Sequence, residues 1–165
     1  MSEFFSYPSP VNNKPVRLVA GAVATIALLG LLTGWDWLIP VLAIGFCLRA
    51  AAGPRLDPLA MFARKVAPRL GKPAWKAGPP KRFAQAMGAT VTTIGTLLVF
   101  GFGIEAAAPV VFAMIVLFAT RESVFNFCVG CTVFAGLMRL GLIPEEVCEE
   151  CNNINLRRER LAAES

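Results

Sequence analysis

The sequence predicts an all-α membrane protein: four transmembrane helices in two hairpins, with a short amphipathic interfacial helix between the hairpins. Two observations carry this reading. Of the 165 residues, 56% are hydrophobic and 16% are charged, whereas a soluble chain carries about 25% charged residues. The apolar residues also fall into long uncharged runs, and the basic residues gather between two of them. The length suits one domain.

The first 15 residues, "MSEFFSYPSPVNNKP", have Pro and Asn where a secretory signal would have its apolar stretch. They read as a flexible lead. A transmembrane domain is expected over 16–142. Its first two spans are the apolar runs 18–33 and 38–52, joined by "GWDW". Each is shorter than the roughly 20 residues of an upright crossing. Trp35 and Trp37 extend them toward the interface, where Trp is favoured, and Gly34 with Asp36 suits a tight turn. The third span is 83–103, without a charge. A turn at 103–105 leads into the fourth, which starts at Ala106 with Pro109 in its first turn. Beyond Ala119 the apolar run meets Arg121 and Glu122 and continues to Leu142. "TRES" has neither Gly nor Pro, so one long helix or a kinked pair is expected there, leaving the bilayer between Arg121 and Cys131.

The loop 53–82 holds eight basic residues and one acid, Asp57, for a net +7. The opposite loops carry only Asp36 and Glu105. The positive-inside rule puts the basic loop, and with four spans both termini, in the cytoplasm. Insertion into a membrane already accounts for this charge, so nucleic acid is not expected as a partner. Within the loop, "DPLAMFARKVAP" has a cap in Asp57, a first-turn Pro58 and a stop in Pro68. Leu59, Phe62, Ala63 and Val66 share one face. Such a helix would lie on the inner leaflet beside anionic lipid, or pack on the cytoplasmic end of the bundle. Gly88, Thr92, Gly95 and Thr96 on the third span, and Gly21 with Thr25 on the first, mark expected helix contacts.

Three stretches, "LRAAAGPRLDPLAMFAR", "PPKRFAQAMG" and "ESVFNFCVGC", occur in this order over 11–142. Together they resemble the small bacterial integral-membrane proteins of the domain-of-unknown-function family 4395. The resemblance implies a four-helix protein of the bacterial cytoplasmic membrane, with Cys128 and Cys131 as a signature pair. It brings no activity with it.

The cysteines are the chemistry-bearing feature. Cys128-x-x-Cys131 is followed after 16 residues by Cys148-x-x-Cys151 in the tail 143–165. This matches the spacing of zinc sites, and thiolates from both pairs could hold zinc or iron in a closed structural centre. All five cysteines fall on the cytoplasmic side of the expected topology, where thiols stay reduced. The favoured reading is a cytoplasmic-face four-cysteine metal centre. Thiol–disulfide or sulfur handling with a thioredoxin-like partner is the first alternative. Cys128 and Cys131 share a helix face, but they gain from a helix dipole only if the helix breaks near Asn126. Glu149 and Glu150 beside the second pair disfavour thiolates there. The third reading is a non-catalytic subunit of a membrane complex, with Cys as a small packed hydrophobe. A homo-oligomer is compatible with four short helices. Arg121 and Glu122, adjacent on a helix, point about 100 degrees apart and are expected not to pair with each other.

Other machinery is thin. There is no His, which excludes imidazole catalysis and His-ligated metals. "GFGIEA" is a lone G-x-G. The chain is expected not to be an enzyme unless it runs on thiols.

Overall fold

The computed structural model describes residues 11–53, 56–70, 75–76 and 78–142. The tail with Cys148 and Cys151, and most of the N-terminal lead, lie outside the described residues. The described chain is helical apart from a two-residue antiparallel pairing of β1 (Val11–Asn12) with β2 (Trp75–Lys76).

Helix α1 (Asn13–Thr33) begins where the Asn12 side chain accepts the Lys14 N–H at 3.1 Å. It ends at Gly34, whose φ of 68° is open to glycine. A tight turn, with Asp36 N–H on the Gly34 carbonyl at 3.0 Å, leads into α2 (Leu38–Ala52). Helix α3 (Pro58–Val66) follows, capped by Asp57, whose carboxylate accepts the Leu59 N–H at 3.1 Å. A 3₁₀ turn (Ala67–Leu70) closes it. Helix α4 (Gly78–Thr96) runs on through a π-helical turn, Leu97–Gly101, to a bend at Gly103. The last two helices are α5 (Ala107–Phe125) and α6 (Val129–Arg139).

Three of these helices, Asn13–Thr33, Gly78–Gly101 and Ala107–Phe125, are long and apolar enough to cross a membrane. Helix α2 has 15 residues, a length of about 22 Å, and α6 has 11. The outside of the molecule is apolar, with Leu32, Ile44, Phe100, Leu117 and Phe125 all exposed. Water-soluble monomers do not carry so much exposed large apolar surface. This exterior and the three long helices suggest a membrane protein.

The strongest packing does not follow the hairpins. Helix α1 lies chiefly against α5, and α2 against α4, while α1 and α2 touch each other little. The core between them is built from Val19, Val23 and Ala27, Ile39 and Leu42, and Val111, Phe112 and Ile115. Small residues set the close approaches, as the sequence predicts for Gly88 and Gly95. A β-carbon on Gly88 would stand 2.5 Å from the Phe46 ring, and one on Gly95 would stand 2.7 Å from Val111. Thr92 is fully buried and folds its hydroxyl onto the Gly88 carbonyl at 2.7 Å. Thr25 differs: it is exposed and bonds only its own helix, to the Gly21 carbonyl.

The face of α3 follows the expected stripe in part. Ala60, Ala63 and, just beyond the helix, Ala67 are buried, and α3 contacts α1. Phe62 and Met61 are exposed next to Arg64 and Lys65. Leu59 packs half-buried against the core and Val66 is half-buried, so of the expected stripe only Phe62 is turned outward.

Candidate functional site

Where the sequence leaves open one long helix or a kinked pair, the chain forms a broken pair. Helix α5 stops at Phe125, and Asn126 adopts a φ of 56°. Asn is among the few residues that tolerate this left-handed conformation. The break is held from α1. Asn13 donates its side-chain amide to the Asn126 side chain, and Arg17 Nε donates to the Ser123 carbonyl at 2.8 Å. Arg17 Nη2 reaches the Val124 carbonyl at 3.3 Å. A guanidinium on the last carbonyls of α5 satisfies groups that the helix itself cannot.

The break makes Cys128 the N-cap of α6, with extended backbone (φ −92°, ψ 110°). Its Sγ accepts the Cys131 backbone N–H at 3.4 Å, as a capping oxygen would. Gly130 then lets α6 rest directly on α4. A β-carbon there would stand 2.6 Å from the Ala84 Cα, so no side chain fits. Phe134 packs against Phe83 with ring centroids 5.6 Å apart.

Two ion pairs flank this point. Lys81 of α4 and Glu122 of α5 pair with each other, and only 2% of Lys81 is exposed. Arg49, at the end of α2, pairs with Asp57 and donates its Nε to Gln85 Oε1 at 2.9 Å. The guanidinium also lies 4.6 Å from the Phe46 ring centroid. Arg49 and Asp57 are 6% and 4% exposed, so this pair is buried as well. Arg121, in contrast, is exposed and lies over Phe127 at 5.1 Å, while its neighbour Glu122 turns inward. The adjacent charges do not pair, as their helical spacing predicts.

The two thiols are not equivalent. A thiol–thiol hydrogen bond with Cys131 holds Cys128 below the usual thiol range, against the opposing effects of burial and of the Glu122 carboxylate, while the Lys81 ammonium adds to the lowering. The same hydrogen bond, with burial, pushes Cys131 up. In this arrangement Cys128 is the thiol that ionises first, with Cys131 as its proton-bearing donor. Cys128 is buried and Cys131 partly exposed.

A cavity of about 100 Å³ opens beside Cys128. Its wall is largely apolar and includes Val23, Val91 and Ile115. Its polar lining is Arg49, Gln85, Glu122 and Cys128.

The structure thus brings Cys128 and Cys131 together. Cys148 and Cys151 lie outside the described residues, and Cys47 is exposed. Among the described residues, no three or more His, Cys, Asp or Glu are grouped to hold a metal. Sequence reasoning missed Arg49, Gln85, Lys81 and Glu122 as one polar cluster. Lys81 reads as one of eight cations in the basic loop, and nothing in its sequence neighbours shows that it is paired inside the bundle.

No curated protein and no solved structure matches this sequence. A family model matches residues 11–139, most of the chain, and the protein therefore belongs to the family described as Domain of unknown function (DUF4395).

Proposed function

We propose that this is a thiol–disulfide exchange protein of the bacterial cytoplasmic membrane, working through Cys128 and Cys131 with a thioredoxin-like dithiol partner. The observation that carries the reading is the break at Asn126, which gives Cys128 the N-terminus of α6. A thiolate at a helix N-terminus is stabilised, and the Glu122 carboxylate offsets the neighbouring Lys81 ammonium. In the exchange, a partner thiolate attacks Cys131 Sγ of the Cys128–Cys131 disulfide. Cys128 leaves as the stabilised thiolate. The second partner thiol then attacks the mixed disulfide, which releases the oxidised partner and the reduced pair. Two electrons and two protons pass from partner to pair.

In this reading α1, α2, α4 with its π turn, and α5 all cross the bilayer. Helix α2 is short for the roughly 30 Å hydrocarbon core, and Trp35 and Trp37 flank it at the interface. Asn13, Arg17, Arg49, Lys81 and Glu122 share the end of the bundle that carries the basic loop, which supports placing that end and both termini in the cytoplasm. Helix α3 lies along this end on its alanine face, with Phe62 turned to lipid and Arg64 and Lys65 near anionic headgroups.

The C-x2-C-x16-C-x2-C spacing favours a second reading, in which Cys148 and Cys151 join Cys128 and Cys131 around zinc or iron. One experiment separates the two. The full chain is purified in mild detergent without chelator, its metals are measured, and its thiols are counted before and after mild oxidation. Absence of stoichiometric metal, with a Cys128–Cys131 disulfide that a reduced thioredoxin removes, supports exchange. One metal per chain, lost in both Cys128→Ser and Cys148→Ser, sinks it in favour of the metal centre. Unreactive, metal-free thiols leave a non-catalytic subunit.

A further inference from the structure

We infer that the cavity beside Cys128 is a binding site for the ring of a lipid-soluble quinone, the electron acceptor that reoxidises the Cys128–Cys131 dithiol. This rests on the exchange reading and names the other half of its cycle.

The cavity does not attract an anion. Arg49 is compensated by Asp57, and Glu122 by Lys81, so no positive charge is left over, and the Cys128 sulfur adds a negative one when it ionises. The ligand must nevertheless meet donors. Gln85 Oε1 already accepts from Arg49 Nε, and the two Gln85 amide N–H groups are available to donate. Arg49 carries donors only. The Arg49 and Gln85 donors suit carbonyl oxygens, while Val23, Val91 and Ile115 suit an apolar body. A neutral, apolar ring with carbonyl oxygens, dissolved in the bilayer and reducible by two electrons, is a quinone.

The sulfurs are arranged for both halves of the cycle. Cys128 lines the cavity, and Cys131, partly exposed, does not. The Cys128 thiolate attacks the quinone ring and forms a carbon–sulfur bond. Cys131 loses its proton and attacks Cys128 Sγ. The sulfur–sulfur bond forms as the carbon–sulfur bond breaks, and its electron pair leaves with the ring. The dithiol loses two electrons and two protons, and the quinone gains them as quinol. Cys131 then faces the next dithiol partner.

The test uses the full chain in lipid nanodiscs, reduced, freed of reductant and kept anaerobic. Decylubiquinone is the probe, because its ring is fully substituted and does not retain thiols. Its loss is followed by absorbance, and the cysteine pairing is mapped by mass spectrometry. The expected result is one quinol per Cys128–Cys131 disulfide, no quinol from Cys128→Ser or Cys131→Ser, and a KM for quinone raised roughly tenfold in Gln85→Leu through loss of a hydrogen bond. If reduced thioredoxin and the pair exchange normally but no quinol forms, the quinone inference falls and the exchange reading stands. Quinol formation that survives Cys128→Ser overturns the inference as well. If the pair cannot form its disulfide with any oxidant, both fall together.

Discussion

Lys81 on α4 and Glu122 on α5 pair within the bundle beside the Cys128 thiol, and so join the helix that carries α6 to the helix that precedes it. The pair acts on stability and on sulfur chemistry at once. Removing one partner strands the other charge in a buried site, at a cost of about 3 kcal/mol. Lys81→Met is therefore expected to lower the melting temperature in detergent sharply. The double variant Lys81→Met, Glu122→Leu should recover much of the loss, since no charge is left unpaired. Thermal unfolding of the four species decides it, and a double variant no better than the single would show that the charges are not coupled.

The same two residues should move the reactivity of Cys128 in opposite directions. Only the thiolate alkylates, and Cys128 is held below the usual thiol range. Its alkylation rate should thus reach half-maximum at a lower pH than that of Cys131, which is held above the usual range. The bond from Cys131 is the largest cause, Lys81 lowers Cys128 further, and Glu122 opposes it. Lys81→Met is expected to shift the Cys128 midpoint upward and Glu122→Gln downward. Peptide-resolved alkylation across pH reads both, and a shift of the same sign in the two variants would reject this electrostatic account.

Gly130 and Gly136 lie on the same short helix and should respond differently to one methyl group. At Gly130 a β-carbon would meet the Ala84 Cβ at 2.5 Å and the Ala84 Cα at 2.6 Å, and the backbone cannot rotate away. At Gly136 nothing lies within 4 Å. Gly130→Ala is expected to cost about 1–3 kcal/mol by overpacking and to push α6 off α4. Gly136→Ala should be neutral or slightly stabilising, because Ala is the better helix former. Comparison of the two melting temperatures checks the seating of α6.

The long helices were legible in the sequence because lipid forces whole runs to be apolar, and the runs are visible without knowing what they touch. The pairing of α1 with α5 and of α2 with α4 was not, since in an apolar solvent the choice of neighbour rests on shape. Gly88 gave part of it away, being small where Phe46 needs room. Thr25 gave a false signal, because a Thr that bonds its own helix can sit on either face. At the site, the C-x-x-C spacing was plain, and the break that gives it a helix N-terminus was not. Asn126 is the only signal of that break. Its left-handed backbone is held by Asn13 and Arg17 from more than a hundred positions away in the chain.

That dependence makes Asn126 the sharpest test of the site. Asn126→Gly keeps the backbone free to adopt its φ of 56° and loses the bond from Asn13. Asn126→Val loses the bond and forces a β-branched residue into the left-handed region, at a cost of roughly 1–3 kcal/mol. If α5 and α6 then join into one continuous helix, Cys128 is no longer an N-cap, and its sulfur loses the Cys131 N–H. The expected order of stability is wild type, then Gly, then Val. The Cys128 alkylation midpoint should stay near wild type in Asn126→Gly and rise in Asn126→Val. Both variants need only a melting curve and a pH series of peptide-resolved alkylation. An unchanged midpoint in a folded Asn126→Val protein would mean that the helix break does not set the character of Cys128, and the thiol-exchange reading would lose its main support.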